Sequence, residues 1–327
     1  MLGIVIELFA VGYGAMSGYI RNAGAFYAYI AAGLGIRQGI AASILALVCY
    51  NAMQVGLYGI YGFSVSTFLE SALGLPVPWW VSALAAWVLV GILGLGRVDL
   101  SARIIAVLVL LEFVAVIGID LMSLAVAPEG VSAAPVTPSH LAVPGVGAML
   151  AFGVAAFMGF ESGAVYAEET ANPQKSVPRA TFIAVALIAC FYAFSAWALA
   201  IGVGTSQIRA QSAELGPDLV FAVLAEHTPA IAVHIVNALF ITSLLAALIA
   251  FHNAAARYFF ALGRTGVLPR FFGRTSTHGS SPIAGSLAQS ALALVVVLVF
   301  AAVGHNSPAG PLFPCLLYTS PSPRDRG

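Results

Sequence analysis

"GFESGAVYAEETANP", residues 159–173, sets a carboxylate, Glu161, close between two glycines in an otherwise apolar stretch and ends in a polar run closed by Asn172 and Pro173. The apolar stretch around it runs over about 145–167 and carries Gly145, Gly147, Gly153, Gly159 and Gly163. Glycine costs about 1 kcal/mol relative to alanine inside a helix, so the spacing predicts a helix that opens around 157–161. What such an opening means depends on its surroundings.

The surroundings are those of a membrane protein. Hydrophobic residues make up 61% of 327 and charged residues 8%, with a mean hydropathy of +0.98; soluble domains carry about a quarter charged residues. Eight apolar runs, at about 2–20, 38–63, 77–96, 102–126, 145–167, 179–203, 230–262 and 283–303, each come near or above the roughly 20 residues that cross a bilayer as a helix. They lack the ten-residue alternation of an outer-membrane barrel, and helices are then the remaining way to satisfy the backbone in lipid. The fold class expected is all-α, a polytopic membrane helix bundle of about eight transmembrane helices joined by short polar segments. The lipid bilayer is its environment. Zero formal net charge and singly scattered basic residues exclude a nucleic-acid partner. Cys49 and Cys190 lie in apolar runs and Cys315 near the end, with no CxxC pair, so neither a disulfide nor a metal site is expected.

Charge placement orients the chain. Arg21, Arg37, Arg97, Arg103, Lys175, Arg179, Arg257, Arg264, Arg270 and Arg274 all flank odd-numbered joints, whereas the even joints hold only Arg209 against Glu70, Glu129, Glu214, Asp218 and Glu226. The positive-inside rule makes the odd joints cytoplasmic and brings Met1 out on the far side. A start outside without a basic segment before the first run is a poor match to a signal peptide. The expectation is that a helix precedes Met1 in a longer protein. At the other end, "CLLYTSPSPRD" reads as translated adaptor sequence. Residues 1–314 are therefore taken as one transmembrane domain, truncated at both ends, and 315–327 as a non-native tail.

In a membrane the opening at Glu161 has two readings. Irregular backbone at membrane depth is tolerated where it lines a cavity or is buried in protein, and a carboxylate there costs about 2.5–3.5 kcal/mol on insertion scales, so the segment can mark a polar solute pocket. Alternatively, Gly159 and Gly163 serve close helix packing and a protonated Glu161 bonds to a neighbouring helix. Pro173 stops the preceding helix from continuing, and Pro178 suits the first turn of the next.

"FMGFESGAVYAEETANPQKSVPRA", residues 157–180, resembles the amino acid–polyamine–organocation permeases, whose sixth helix carries a Gly-Phe-Glu element followed by a joint of the form E-E-x-x-N-P-x-x-x-x-P-R-A. "NAGAFYAYIAAGLG", residues 22–35, is similar to that family's joint between its second and third helices, and "NAAARYFFALGRTGVLP", residues 253–269, to the end of its eighth. The resemblance covers residues 1 to about 314. It implies a leucine-transporter-like fold of two inverted five-helix repeats plus two further helices, of which this chain holds family helices two to nine. The helix expected before Met1 is then the family's first, which shares the substrate site.

The resemblance also implies roles. Ala155, Ala156, Phe157, Met158, Gly159, Phe160 and Glu161 would receive the ammonium group of an amino acid substrate, with Glu161 in a gating or protonation role. Many relatives have an aromatic gate where this chain has Ala155, which leaves Phe157 or Phe160 to serve. Tyr50, Asn51 and Gln54 are candidates for the side-chain pocket, or else plain interhelix hydrogen bonders. Thr242 and Ser243 fall near the hydroxyl ligands of sodium-coupled relatives, although membrane hydroxyls commonly bond their own backbone. The only lysine, Lys175, lies in a joint, so proton coupling would use Glu161, or else Glu7, Glu112 or Asp120, each of which could equally be a neutralised interhelix contact. Glu168 and Glu169 face the side where Arg21, Arg37 and Arg257 lie and could pair with them as a cytoplasmic gate, or form a solvated turn.

The function expected is secondary active transport of amino acids by alternating access, with no cofactor other than a coupling proton or sodium ion. A polyamine or other organocation exchanger is the alternative, and a membrane scaffold without transport activity the bland one. An enzyme is not expected: the six histidines are scattered and no HExxH or paired-Asp motif occurs. The oligomeric state is not encoded in any motif.

Overall fold

The computed structural model describes residues 2–20, 26–95, 102–137, 146–161, 172–273 and 282–303. Among the described residues the regular elements are all helical: α1 Leu2–Tyr19, α2 Phe26–Leu34, α3 Ile36–Leu73, α4 Trp79–Leu95, α5 Ala102–Ala125, α6 Val146–Ala156, α7 Pro173–Val203, α8 Ile208–Leu215, α9 Leu219–His227, α10 Ala230–Arg264 and α11 Ile283–Ala302, with short 3-10 turns between some of them. Five of these are long and apolar enough to cross a membrane, and Leu2–Ser17 and Trp79–Leu95 are shorter apolar helices. In the α7 and α10 spans only 11% of the apolar window is buried, and Leu110, Val114 and Leu121 on α5 and Ile183 and Leu187 on α7 are exposed. Apolar surface on that scale is stable against lipid and not against water. The chain is a multi-pass membrane protein.

Three elements depart from the sequence expectation. Helix α3 continues to Leu73, ten residues beyond the end of its apolar run, because only the side chains turn polar there. The backbone stays helical until Gly74, which takes φ 66° and closes the helix with its N–H on the Glu70 carbonyl. The joint after α7 is not a short one: it holds α8, which is polar, and α9, whose nine residues are too few to span a bilayer. Finally, α7 begins at Pro173 rather than near 179. Pro173 already supplies the helix start that was assigned to Pro178, the Asn172 carbonyl accepts the Ser176 N–H at 2.9 Å, and Pro178 lies inside the helix.

The chain divides into two compact units, Met1–Gly12 with Ala102–Phe160 and Arg179–Ser243, and Tyr13–Ser101 with Glu161–Pro178 and Leu244–Gly327. In the first, Phe157 packs with Ile6, Ala10 and Val185. Asp120, buried on α5, accepts a hydrogen bond from Ser195 of α7 at 2.7 Å, and Gly202 of α7 lies so close to Ser123 that a Cβ there would stand 2.8 Å from its Cα. Glu112 of α5 likewise bonds to the Ser243 hydroxyl of α10. Asp120 and Glu112 are thus interhelix contacts.

The same unit carries a polar clasp outside the spans. The exposed Glu129 carboxylate accepts the hydroxyls of Thr205 and Ser206 and also their backbone N–H groups, at 3.0 and 3.3 Å. These four donors, the Ser206 hydroxyl first among them, pull its carboxyl from 4.5 down to about 2. A depressed carboxyl stabilises the folded form fully above its unfolded value and loses that contribution as pH falls through the folded one. Hydrogen exchange at the Thr205 and Ser206 amides is therefore expected to stay slow from neutral pH to about 4.5 and to accelerate, beyond the intrinsic trend, only toward about 2. In Glu129→Gln it is fast at pH 7. Equal protection in the variant at pH 7 would show that the clasp does not hold the segment.

The second unit is built on α3, which packs against α2, α4 and α11. Its core joins Val55 and Tyr58 of α3, Trp79, Ala83, Ala86 and Val90 of α4, Leu248 of α10, and Ala293 and Val297 of α11. Small residues let the backbones close: Gly62 of α3 stands where a Cβ would lie 3.1 Å from that of Ala83 and against the Trp79 carbonyl.

Candidate functional site

Helix α6 stops at Ala156 and the chain continues in turns over 157–161. The Phe157 N–H bonds to the Val154 carbonyl at 3.0 Å and the Phe160 N–H to the Phe157 carbonyl at 3.3 Å, both i to i+3 contacts that tighten the chain out of α-helical register. Gly159 adopts φ 102°, a conformation closed to most side chains, so this turn needs glycine there. It delivers Glu161, only 4% exposed, into the interior of the second unit.

Tyrosines from several helices of that unit meet it. The Tyr50 hydroxyl of α3 donates to Glu161 Oε1 at 2.5 Å, and the Tyr13 hydroxyl of α1 donates to the Glu161 backbone carbonyl at 3.1 Å. Tyr258 of α10 packs on Tyr50 in a tilted arrangement with ring centroids 5.0 Å apart, and Tyr29 of α2 packs edge-on against Tyr13 at 5.2 Å. Tyr13, Tyr50 and Tyr258 are each 2% exposed or less. The Tyr258 hydroxyl is buried without a hydrogen-bond partner although the ring lies within electrostatic reach of Glu161. A buried carboxyl that accepts a tyrosine hydroxyl among further tyrosines is a polar site able to receive a cation.

The other residues singled out by sequence are placed as follows. Ala156 closes α6; Ala155 lies in its last turn. Phe157 is buried in the first unit's core and Phe160 packs at its edge, in edge-to-face contact with Phe9 at 6.1 Å; Met158 is half-buried. Asn51 donates its amide to the Leu47 carbonyl at 2.7 Å, and its buried Oδ1 has no partner. It lines an apolar groove of about 400 Å³ together with Val48, Val55, Phe259, Leu292 and Val296. Thr242 donates to the Leu239 carbonyl of its own helix at 2.7 Å, and Ser243 is engaged by Glu112. Arg37 is exposed at the start of α3 and Arg257 half-buried on α10; Arg21, Glu168 and Glu169 lie outside the described residues.

Gln54 makes its bonds away from the carboxyl. Its Oε1 accepts from Gln289 Nε2 of α11, and its Nε2 meets His252 Nδ1 of α10 at 3.3 Å. His252 Nε2 in turn lies 2.7 Å from the Ser286 hydroxyl of α11. Sequence reasoning missed this group, as it missed Tyr13 and Tyr258. A signal existed: Gln54, His252 and Gln289 are strongly polar side chains within three apolar runs, and each must find a partner when buried in a membrane.

The chain is 29% identical over 143 residues, 43% of its length, to the lysine-specific permease LysP of Lactococcus lactis subsp. cremoris. It is 25% identical over 253 residues, 75% of its length, to the histidine permease HisP of the same organism. The matched parts are 28% and 44% of those proteins, so the chain spans less than half the length of the curated relatives it matches. The profile of a family of permeases, not of enzymes, described as amino acid permease, matches residues 1–306. The chain belongs to the amino acid permease family.

Proposed function

We propose that this chain forms part of a secondary transporter that carries an amino acid across the cell membrane by alternating access, binding the substrate's ammonium group at Glu161. The observation that carries the reading is the buried Glu161 carboxyl, delivered by a break in a membrane helix and held by the Tyr50 hydroxyl. A purely packed helix needs neither the break nor the acid. Glu161 also carries the coupling proton in this reading, with Glu7, whose buried Oε2 has no partner, as the second candidate; Asp120 is occupied by Ser195 and Glu112 by Ser243 within the first unit. The Thr242 hydroxyl spends its hydrogen on its own helix, which leaves sodium ligation there the weaker reading. The buried acid, and the lysine and histidine named for the two relatives, favour substrates with a basic side chain.

The test is an uptake screen. Cells expressing the intact permease are expected to accumulate a radiolabelled amino acid, with lysine, arginine or histidine competing best and acidic amino acids least. Uptake of polyamine with no competition from any amino acid would replace the reading by organocation exchange, and no uptake of either would leave a scaffold role.

A further inference from the structure

The side chains of Gln54, His252, Ser286 and Gln289 are each 1% exposed or less, and all four sit in apolar helices of the second unit. Their hydrogens can be assigned by elimination. Gln289 Nε2 donates to Gln54 Oε1, which leaves Gln54 Nε2 as the atom facing His252 Nδ1. A ring nitrogen facing an N–H must accept, so the imidazole hydrogen is on Nε2, where it donates to Ser286 Oγ. The bonds therefore run one way, from Gln289 to Gln54 to His252 to Ser286. Ser286 and Gln289 are three residues apart on α11 and share a face. The chain leaves α11, passes through α3 and α10, and returns to α11.

This path, anchored at both ends on α11, ties α3 to α10 beside the tyrosines of the candidate site. Tyr50 lies four residues before Gln54 on α3, on the same face. Its ring packs on Phe251, next to His252, at a centroid distance of 5.8 Å, and on Tyr258 at 5.0 Å. Helix α4 backs the path: a Cβ at Gly94 would stand 2.5 Å from His252 Cδ2 and 2.9 Å from Ser286 Oγ. A slip of α3 along α10 by one residue moves it 1.5 Å, more than a hydrogen bond as short as that from Tyr50 to Glu161 survives.

We propose that Gln54, His252, Ser286 and Gln289 are positioning residues for transport: the run of three hydrogen bonds they form sets the register of α3 against α10 and so holds the Tyr50 hydroxyl on Glu161. The inference rests on the reading of Glu161 as the substrate site. None of the four touches the solute; they act through Tyr50.

A double-mutant cycle in the intact permease tests it, with rates taken per correctly folded protein. Gln54→Leu is expected to lower uptake about 5-fold and to change KM and maximal rate in the same proportion as Tyr50→Phe. Added to Tyr50→Phe it should do nothing more, because the group it positions is already gone. Effects that multiply in the double variant, or a KM and rate split unlike that of Tyr50→Phe, would overturn the proposal while leaving the site reading intact. Wild-type uptake in both Tyr50→Phe and Glu161→Gln would instead remove the site reading and the proposal with it. If Gln54→Leu does not reach the membrane, Ser286→Ala deletes a single oxygen from the same path, and the same non-additivity with Tyr50→Phe decides the question.

Discussion

Glu161→Gln is expected to abolish concentrative uptake, lowering it about 10- to 100-fold, while exchange of labelled for unlabelled substrate survives at a reduced rate. Glutamine keeps the size of the side chain and an oxygen that can accept from the Tyr50 hydroxyl. What it lacks is the charge that attracts an ammonium group and the proton that couples its movement to a gradient. Hydrogen bonds to charged groups contribute about 1.5–3 kcal/mol, which sets the magnitude. Tyr50→Phe, which removes one hydroxyl and leaves the ring against Phe251 and Tyr258, should lower both uptake and exchange about 10-fold. Measurement of initial rates and of counterflow in vesicles made from cells expressing the intact permease separates the two. Concentrative uptake at the wild-type rate in Glu161→Gln would take the carboxyl out of the mechanism.

How far the sequence foretold this site depends on whether the relevant interaction is local. The end of α6 is local: glycines at 153 and 159 in an apolar run weaken the helix wherever it packs, and the chain does leave helical register after Ala156. The membrane spans are local in the same sense, since hydropathy over about 20 residues is a property of each segment alone. Tyr13 and Glu161 are 148 residues apart, and Gln54 and Gln289 are 235 apart. No periodicity connects them. Strongly polar side chains in apolar runs announce that a partner is needed without saying which, and Gln54 illustrates the cost. Its helical position placed it with Tyr50 and Asn51 as a pocket candidate, yet its amide is spent on His252 and Gln289. The extent of α3 shows the opposite failure. Hydropathy ends where side chains turn polar, but the backbone ends at Gly74, where a left-handed residue closes the helix.

Gly285→Val is the substitution expected to cost the most stability. Gly285 opens α11 against α10, where a Cβ would lie 3.0 Å from that of Phe259 and 3.1 Å from the Ala256 carbonyl carbon, with the carbonyl oxygen closer still. Backbone cannot rotate out of the way as a flexible side chain would, so the added methyls must push α11 off α10. Overpacking of this kind costs about 1–3 kcal/mol, and valine reaches the upper part of that range. The adjacent residue is Ser286, which accepts from His252 at 2.7 Å, so the same displacement opens the polar path and leaves a buried N–H without a partner. That loss is worth a further 1–3 kcal/mol or so. Gly118→Ala on α5, where a Cβ meets nothing within 4 Å, is the control and should raise stability, by up to about 1 kcal/mol, rather than lower it. Thermal unfolding in detergent, followed by loss of the monodisperse peak on gel filtration, ranks the two. A Gly285→Val protein as stable as the control would mean that α10 and α11 do not approach at this point. Apolar helices in lipid gain little from hydrophobicity itself when they associate. Contacts such as this one, where a missing side chain lets two backbones meet, therefore choose which helices pair, and only that choice brings Gln289 within reach of Gln54 and, through it, Tyr50 onto Glu161.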